Sequence, residues 1–80
     1  MPQVKYIRTK DNQIVVFSCL INHSRFRALE PISAGFIRIN TDKDGQVYCR
    51  CYGESITLDL KANEVEDTEL ARTQILGYDY

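Results

Sequence analysis

Between Ala34 and Leu60 the chain alternates apolar and polar side chains one by one, the period of a half-buried strand and not of a helix. Three stretches carry the alternation: Gly35–Asn40, Gln46–Tyr52 and Ser55–Leu60. Asp42-Lys43-Asp44-Gly45 and Gly53-Glu54 separate them, with glycine supplying the positive φ that tight turns need. The pattern predicts a three-strand meander whose aliphatic face holds Ile37, Ile39, Val47, Cys49, Cys51, Ile56, Leu58 and Leu60. Phe36, Arg38, Asn40, Tyr48, Arg50, Tyr52, Thr57 and Asp59 fall on the opposite face.

Two earlier stretches rich in β-formers, Val4–Thr9 and Gln13–Ser18, flank Lys10-Asp11-Asn12 and predict an N-terminal hairpin. Ile14–Phe17 is apolar on both faces, which suits a strand covered on both sides or lying centrally in its sheet. Cys19–Glu30 fits either an ordered loop or a short helix capped by Asn22 or Ser24 and ended before Pro31. After Lys61, Asn63 with Glu66 three residues on, or with Asp67 a turn later, can cap a helix start, and Glu64, Glu66, Asp67 and Glu69 suit its positive end. Leu70, Ala71, Ile75 and Leu76 then read as its apolar stripe, and Gly77 as its stop. This helix is expected to close over the aliphatic face of the meander. The tail Tyr78-Asp79-Tyr80 either frays or packs. The order of elements predicts an α+β fold, a mostly antiparallel sheet of about five short strands (N-terminal hairpin plus meander) with a C-terminal helix. A small closed β-barrel plugged by the helix is the alternative architecture.

Composition narrows the class. Eighty residues are expected to make one domain, which buries about 60% of the surface its unfolded chain exposes. Hydrophobic residues at 44% and charged residues at 26% argue against disorder. The longest run free of strong polarity, Ile14–Phe17, is far too short to cross a bilayer. Lys5, Arg8, Lys10 and Asp11 occupy the place of a signal peptide's apolar core, so a cytoplasmic location is expected. Three cysteines cannot close a disulfide framework. Cys49 and Cys51 share one face of a strand at about 6.5–7 Å between Cα atoms, the far edge of disulfide reach. Reduced thiols used as small buried hydrophobes follow, and the Asn22-His23-Ser24 sequon then carries no meaning. Net charge is −1, but residues 1–40 hold six Lys/Arg and two acids (+4) while residues 41–80 hold four and nine (−5). Such polarity can orient an encounter with a charged partner, or simply reflect one acidic helix and one basic hairpin.

The opening Val4-Lys5-Tyr6-Ile7-Arg8-Thr9, the central Ser33-Ala34-Gly35-Phe36 and the run Cys51-Tyr52-Gly53-Glu54-Ser55 leading to Leu58, Leu60 and Lys61 resemble a group of short uncharacterised bacterial proteins, some carried by mobile elements. The resemblance covers most of the chain. It implies a stand-alone small domain and brings no activity, cofactor or site residue with it.

Among constellations that carry chemistry, the polar meander face is the most informative. Phe36, Arg38, Tyr48, Arg50 and Tyr52 place three rings and two guanidiniums on one side of a sheet. Those residue types are enriched at protein–protein hot spots, and they also make platforms for single-stranded nucleic acid. A second minor core under the N-terminal hairpin, or a plain cross-strand ladder, accounts for them equally simply. An overall acidic chain, with pI ≈ 5.7, speaks against nucleic acid, whose affinity comes mostly from phosphate charge. Cys19, His23, Cys49 and Cys51 are the residue types of a Cys₃His zinc site, but Cys-x₃-His and Cys-x-Cys are not knuckle spacings, so no metal is assigned. Asn40, Asp42, Asp44 and Gly45 imitate half a calcium loop, yet Cys51 stands where its bidentate Glu belongs. Cys19 near the single histidine lacks an orienting third group, and no Gly-rich phosphate loop occurs. The expectation is therefore a binding or adaptor module, not an enzyme and without a cofactor. It contacts a protein (a second copy of itself included) through Phe36, Arg38, Tyr48, Arg50 and Tyr52, with single-stranded nucleic acid as the alternative and no membrane.

Overall fold

A computed structural model describes residues 4–77, so the tail Tyr78-Asp79-Tyr80 lies outside the described residues. Strands β1 (Val4–Thr9) and β2 (Ile14–Phe17) form the expected hairpin. Asn12 takes the left-handed geometry of its turn at φ 63°, a conformation that Asn tolerates better than most residues. A 3-10 helix, His23–Leu29, follows; the Asn22 side chain caps it by accepting from the Ser24 amide. Strand β3 runs from Pro31 to Thr41, starting four residues before the expected Gly35. Pro31 is tolerated there because the first residue of a strand can forgo its donor.

Strand β3 is the spine of the sheet. It pairs with β1 on one side and with β4 (Val47–Tyr52) on the other, both antiparallel, giving the order β2-β1-β3-β4. The sheet stays open, with β2 and β4 as edges, so it does not close into a barrel. That places β2 at an edge and not centrally, with Val16 partly exposed. The β3–β4 turn is held by Asp42, whose carboxylate accepts from the Asp44 and Gln46 amides, both at 2.9 Å. Gly45 completes it at φ 83°.

The α+β class, with an antiparallel sheet and a C-terminal helix, is what the structure shows. One strand differs. Ser55–Leu60 does not extend the sheet beside β4; it splits into β5 (Glu54–Ser55) and β6 (Leu60–Lys61), a separate two-strand ribbon. Gly53 at φ 81° ends the β4 direction, Asp59 turns left-handed at φ 54°, and the Ser55 hydroxyl accepts from the Leu58 amide. Local side-chain bonds of this kind offer the backbone an alternative to a ladder. Ile56 is therefore thrown out at the ribbon tip, 86% exposed, and is not part of the aliphatic face.

One face of the sheet is covered by the helix and the other in part by a second layer. On one, helix α1 (Glu64–Gln74) lies over Tyr6, Ile37, Cys49 and Cys51, with Ala71 as its buried contact. On the other, Ile7, Phe17 and Ala34 pack with Phe26 of the 3-10 helix and with Leu58 and Leu60. Leu58 and Leu60 thus join the opposite core from the one their alternation implied. Of the expected apolar stripe, Ala71 is buried and Leu76 packs against the same core, whereas Leu70 is half-buried and Ile75 exposed; Asp67 is the helix's other buried residue. Hydrogen bonds to both sheet edges complete the seat. Thr68 Oγ1 accepts from the Cys51 amide on β4 at 2.9 Å, and Gln74 Oε1 accepts from the Ile14 amide on β2 at 2.8 Å.

Candidate functional site

Alternation along β3 and β4 sends Phe36, Arg38, Tyr48, Arg50 and Tyr52 to the face away from α1, as expected. Register then decides which side chains meet. Phe36 stands opposite Tyr52, Arg38 opposite Arg50, and Asn40 opposite Tyr48. Arg38, Tyr48 and Arg50 are exposed, whereas Phe36 and Tyr52 are half-buried beneath the second layer. That layer extends the rings into the core. Tyr52 sits 6.0 Å from Phe36, Phe36 6.0 Å from His23, His23 5.4 Å from Phe17, and Phe17 4.4 Å from Phe26. The five residues are one face, but its inner half is core and its outer half is surface.

Two guanidiniums stand directly opposite each other in this face, and like charges so placed destabilise a sheet. Arg38 rests over the Tyr52 ring at 5.8 Å, a cation–π contact. Arg50 reaches Glu64 at 3.4 Å, an exposed and long ion pair of little energetic weight. No carboxylate among the described residues lies between them. Arg38, Arg50 and Tyr52 line a hollow of about 200 Å³. Tyr52 also walls a second hollow of about 440 Å³, floored by Phe36 and bounded by His23, Gly53 and Ile56. The Tyr52 hydroxyl is shut off from solvent without a hydrogen-bond partner among the described residues. Buried polar atoms are rarely left in that state.

His23 is buried, not a surface residue, and its Nε2–H donates to the Gly35 carbonyl at 2.8 Å. Burial lowers its pKa, so the ring is neutral near pH 7. The structure does not bring Cys19, His23, Cys49 and Cys51 together: Cys19 is exposed, contrary to the expectation of three buried thiols, and Cys49 and Cys51 lie under α1 on the far face from His23. Burial pushes the Cys49 thiol up and the Cys51 thiol up to about 12, which makes both poor nucleophiles.

A second constellation was hidden in the sequence. Asp67, 0% exposed, accepts from the Tyr6 hydroxyl, from Ser33 Oγ at 2.7 Å, from the Asn63 amide at 3.0 Å and from Arg8 Nη1 at 3.1 Å. Arg8 also donates to Glu66 at 2.6 Å and to Asn12 at 2.7 Å. Every oxygen of Asp67 is satisfied, and the network ties α1 to β1 and β3. Burial, followed by the Asp67 hydrogen bond, drives the Tyr6 pKa far above the usual phenol value. Such a closed, fully paired cluster is a clamp, with no free group left for substrate. The signal for it lay in β1, where Tyr6 and Arg8 share the covered face with Val4 and so demand a buried acceptor.

Comparison with protein-family models, with curated proteins and with solved structures finds no match. Among the described residues, no helix is long and apolar enough to cross a membrane.

Proposed function

We propose that this protein is a binding module whose β3–β4 face engages a protein partner through Arg38, Arg50, Tyr48 and Tyr52, with Phe36 backing the Tyr52 ring. The observation that carries the reading is the opposed pair Arg38–Arg50, both exposed, with Arg38 over the Tyr52 ring and no ion pair that joins the two through a shared carboxylate among the described residues. A fold gains nothing from that pairing, whereas an interface does, because arginine and tyrosine supply charge-assisted hydrogen bonds and large rigid contact area. A cytoplasmic setting goes with this reading, since the three cysteines are free thiols.

Single-stranded nucleic acid is the second reading, favoured by Tyr48, a residue 46% exposed two positions from Arg50 on the same face, whose ring a base can stack on. Affinity capture from an extract of the native host separates the two. The module is expected to retain a protein after nuclease treatment and to lose it when Arg38→Gln and Arg50→Gln are combined. Retention of nucleic acid, lost steeply as salt is raised, favours the second reading. Capture of the same protein by the double variant overturns the assignment of the face.

A further inference from the structure

We infer that the partner presents an aspartate or glutamate carboxylate next to an apolar side chain, the carboxylate seated between Arg38 and Arg50 and the apolar group in the adjoining hollow. The inference rests on the proposed binding face and names what that face takes.

Three features of the site converge on this occupant. The first is charge. Arg38 has a ring face and Arg50 a long, exposed contact to Glu64, so a carboxylate between them would relieve the cross-strand repulsion and accept from both guanidiniums. The second is Tyr52, whose side chain lines both hollows and carries Arg38 over its ring, so a group held by the arginines and one beside Phe36 meet the same ring. The third is the neighbouring hollow itself. Its floor is Phe36 and Tyr52, its neutral His23 carries no charge, and Ile56 stands exposed at its rim.

The same surroundings disfavour a chain of phosphates. Beyond the arginine pair, the nearby cations are already committed to backbone carbonyls: Lys5 Nζ donates to Ile21 at 2.9 Å and Arg27 to Thr57 at 3.1 Å. Glu54 lines the second hollow and would repel a further phosphate. One negative charge beside one apolar group matches what is offered; a run of charges does not.

The probe is a blocked peptide, acetyl-Gly-Ser-Phe-Asp-Ser-Gly-amide, titrated into the isotope-labelled full chain and followed by NMR. Companion peptides carry Asn or phosphoserine for Asp, or Ala for Phe, and a ten-residue oligothymidylate is titrated in parallel. Saturable shifts are expected at the side-chain N–H groups of Arg38 and Arg50 and at Tyr52. Replacing Asp by Asn, or Phe by Ala, is expected to weaken binding about tenfold, as is Arg38→Gln combined with Arg50→Gln in a variant whose spectrum shows the fold intact. Equal binding of the Asp and Asn peptides, tighter binding of the phosphoserine peptide or the oligonucleotide, or no saturable shift with any probe overturns the inference. If host-protein capture depends on both arginines while the Asp and Asn peptides bind alike, this inference falls and the binding face stands. If capture ignores both arginines, the face itself falls.

Discussion

Asp67 gathers four donors in a place closed to water, and its removal would strand the Arg8 guanidinium and the Tyr6 hydroxyl. Asp67→Ala is therefore expected to cost about 3–5 kcal/mol of unfolding free energy, read from the urea midpoint. Glu66→Gln touches the same arginine from an exposed carboxylate and is expected to cost no more than about 1 kcal/mol. Similar losses for the two variants would mean that Asp67 is not the anchor. Thiol chemistry gives a second check. Cys19 is exposed, while Cys49 and Cys51 are buried with raised pKa values, so one thiol of the three should react quickly with a disulfide reagent and two only on unfolding. His23 sets a pH dependence. Its folded pKa lies below its ordinary 6.5, so as pH falls past that value the unfolded chain takes up a proton that the folded ring resists. Stability should begin to drop as pH falls towards 6.5 and go on dropping until the folded ring is protonated as well, more steeply in the wild type than in His23→Gln. Equal slopes in the two proteins would remove His23 from the account. At this scale the sequence was partly legible. Cys49 and Cys51 are buried where alternation put them, and Asp67 was legible at the helix start, where it accepts from the Asn63 amide, but not as the partner of Arg8, because nothing local marks which carboxylate a distant arginine will find.

Among the elements, β3 and β4 were readable because a period of two needs no knowledge of the partner. Cys49 is buried and Tyr48 and Arg50 are exposed, as the alternation required; Val47, at the strand's start, is 36% exposed although it shares the aliphatic parity. The same alternation misled at Ser55–Leu60, where Gly53, the Ser55 hydroxyl and left-handed Asp59 fold the segment back on itself. Helix α1 docks through half of its expected stripe, Ala71 and Leu76, and through the hydrogen bonds of Asp67, Thr68 and Gln74, which take the place of Leu70 and Ile75. Hydrogen bonds between a helix and a sheet leave no periodic trace. Gly35 ties the two halves together, because the β4 carbonyl of Tyr52 passes 2.3 Å from where a Cβ would sit. Gly35→Ala must therefore push backbone aside, and a loss of about 1–3 kcal/mol is expected in denaturant unfolding. An unchanged midpoint would show that the β4 end yields freely.

The whole molecule has two unlike sides. Glu64, Glu66 and Glu69 are exposed on the helix that covers one face of the sheet, whereas the opposite face carries Lys5, Arg38 and Arg50. The charge contrast between the chain's halves thus becomes, in part, a contrast between faces, which favours encounter of the basic side with an acidic partner. Its cost falls on the opposed arginines, and this is where the account is most exposed. The decisive measurement pairs the stability of Arg38→Glu with its capture of the partner. If the pair is kept for binding, the variant should keep its urea midpoint, the cross-strand pairing it gains with Arg50 offsetting the Tyr52 ring contact it loses, while partner capture disappears. A variant that unfolds more easily yet still captures the partner would show that the arginines serve the fold, and would contradict the account.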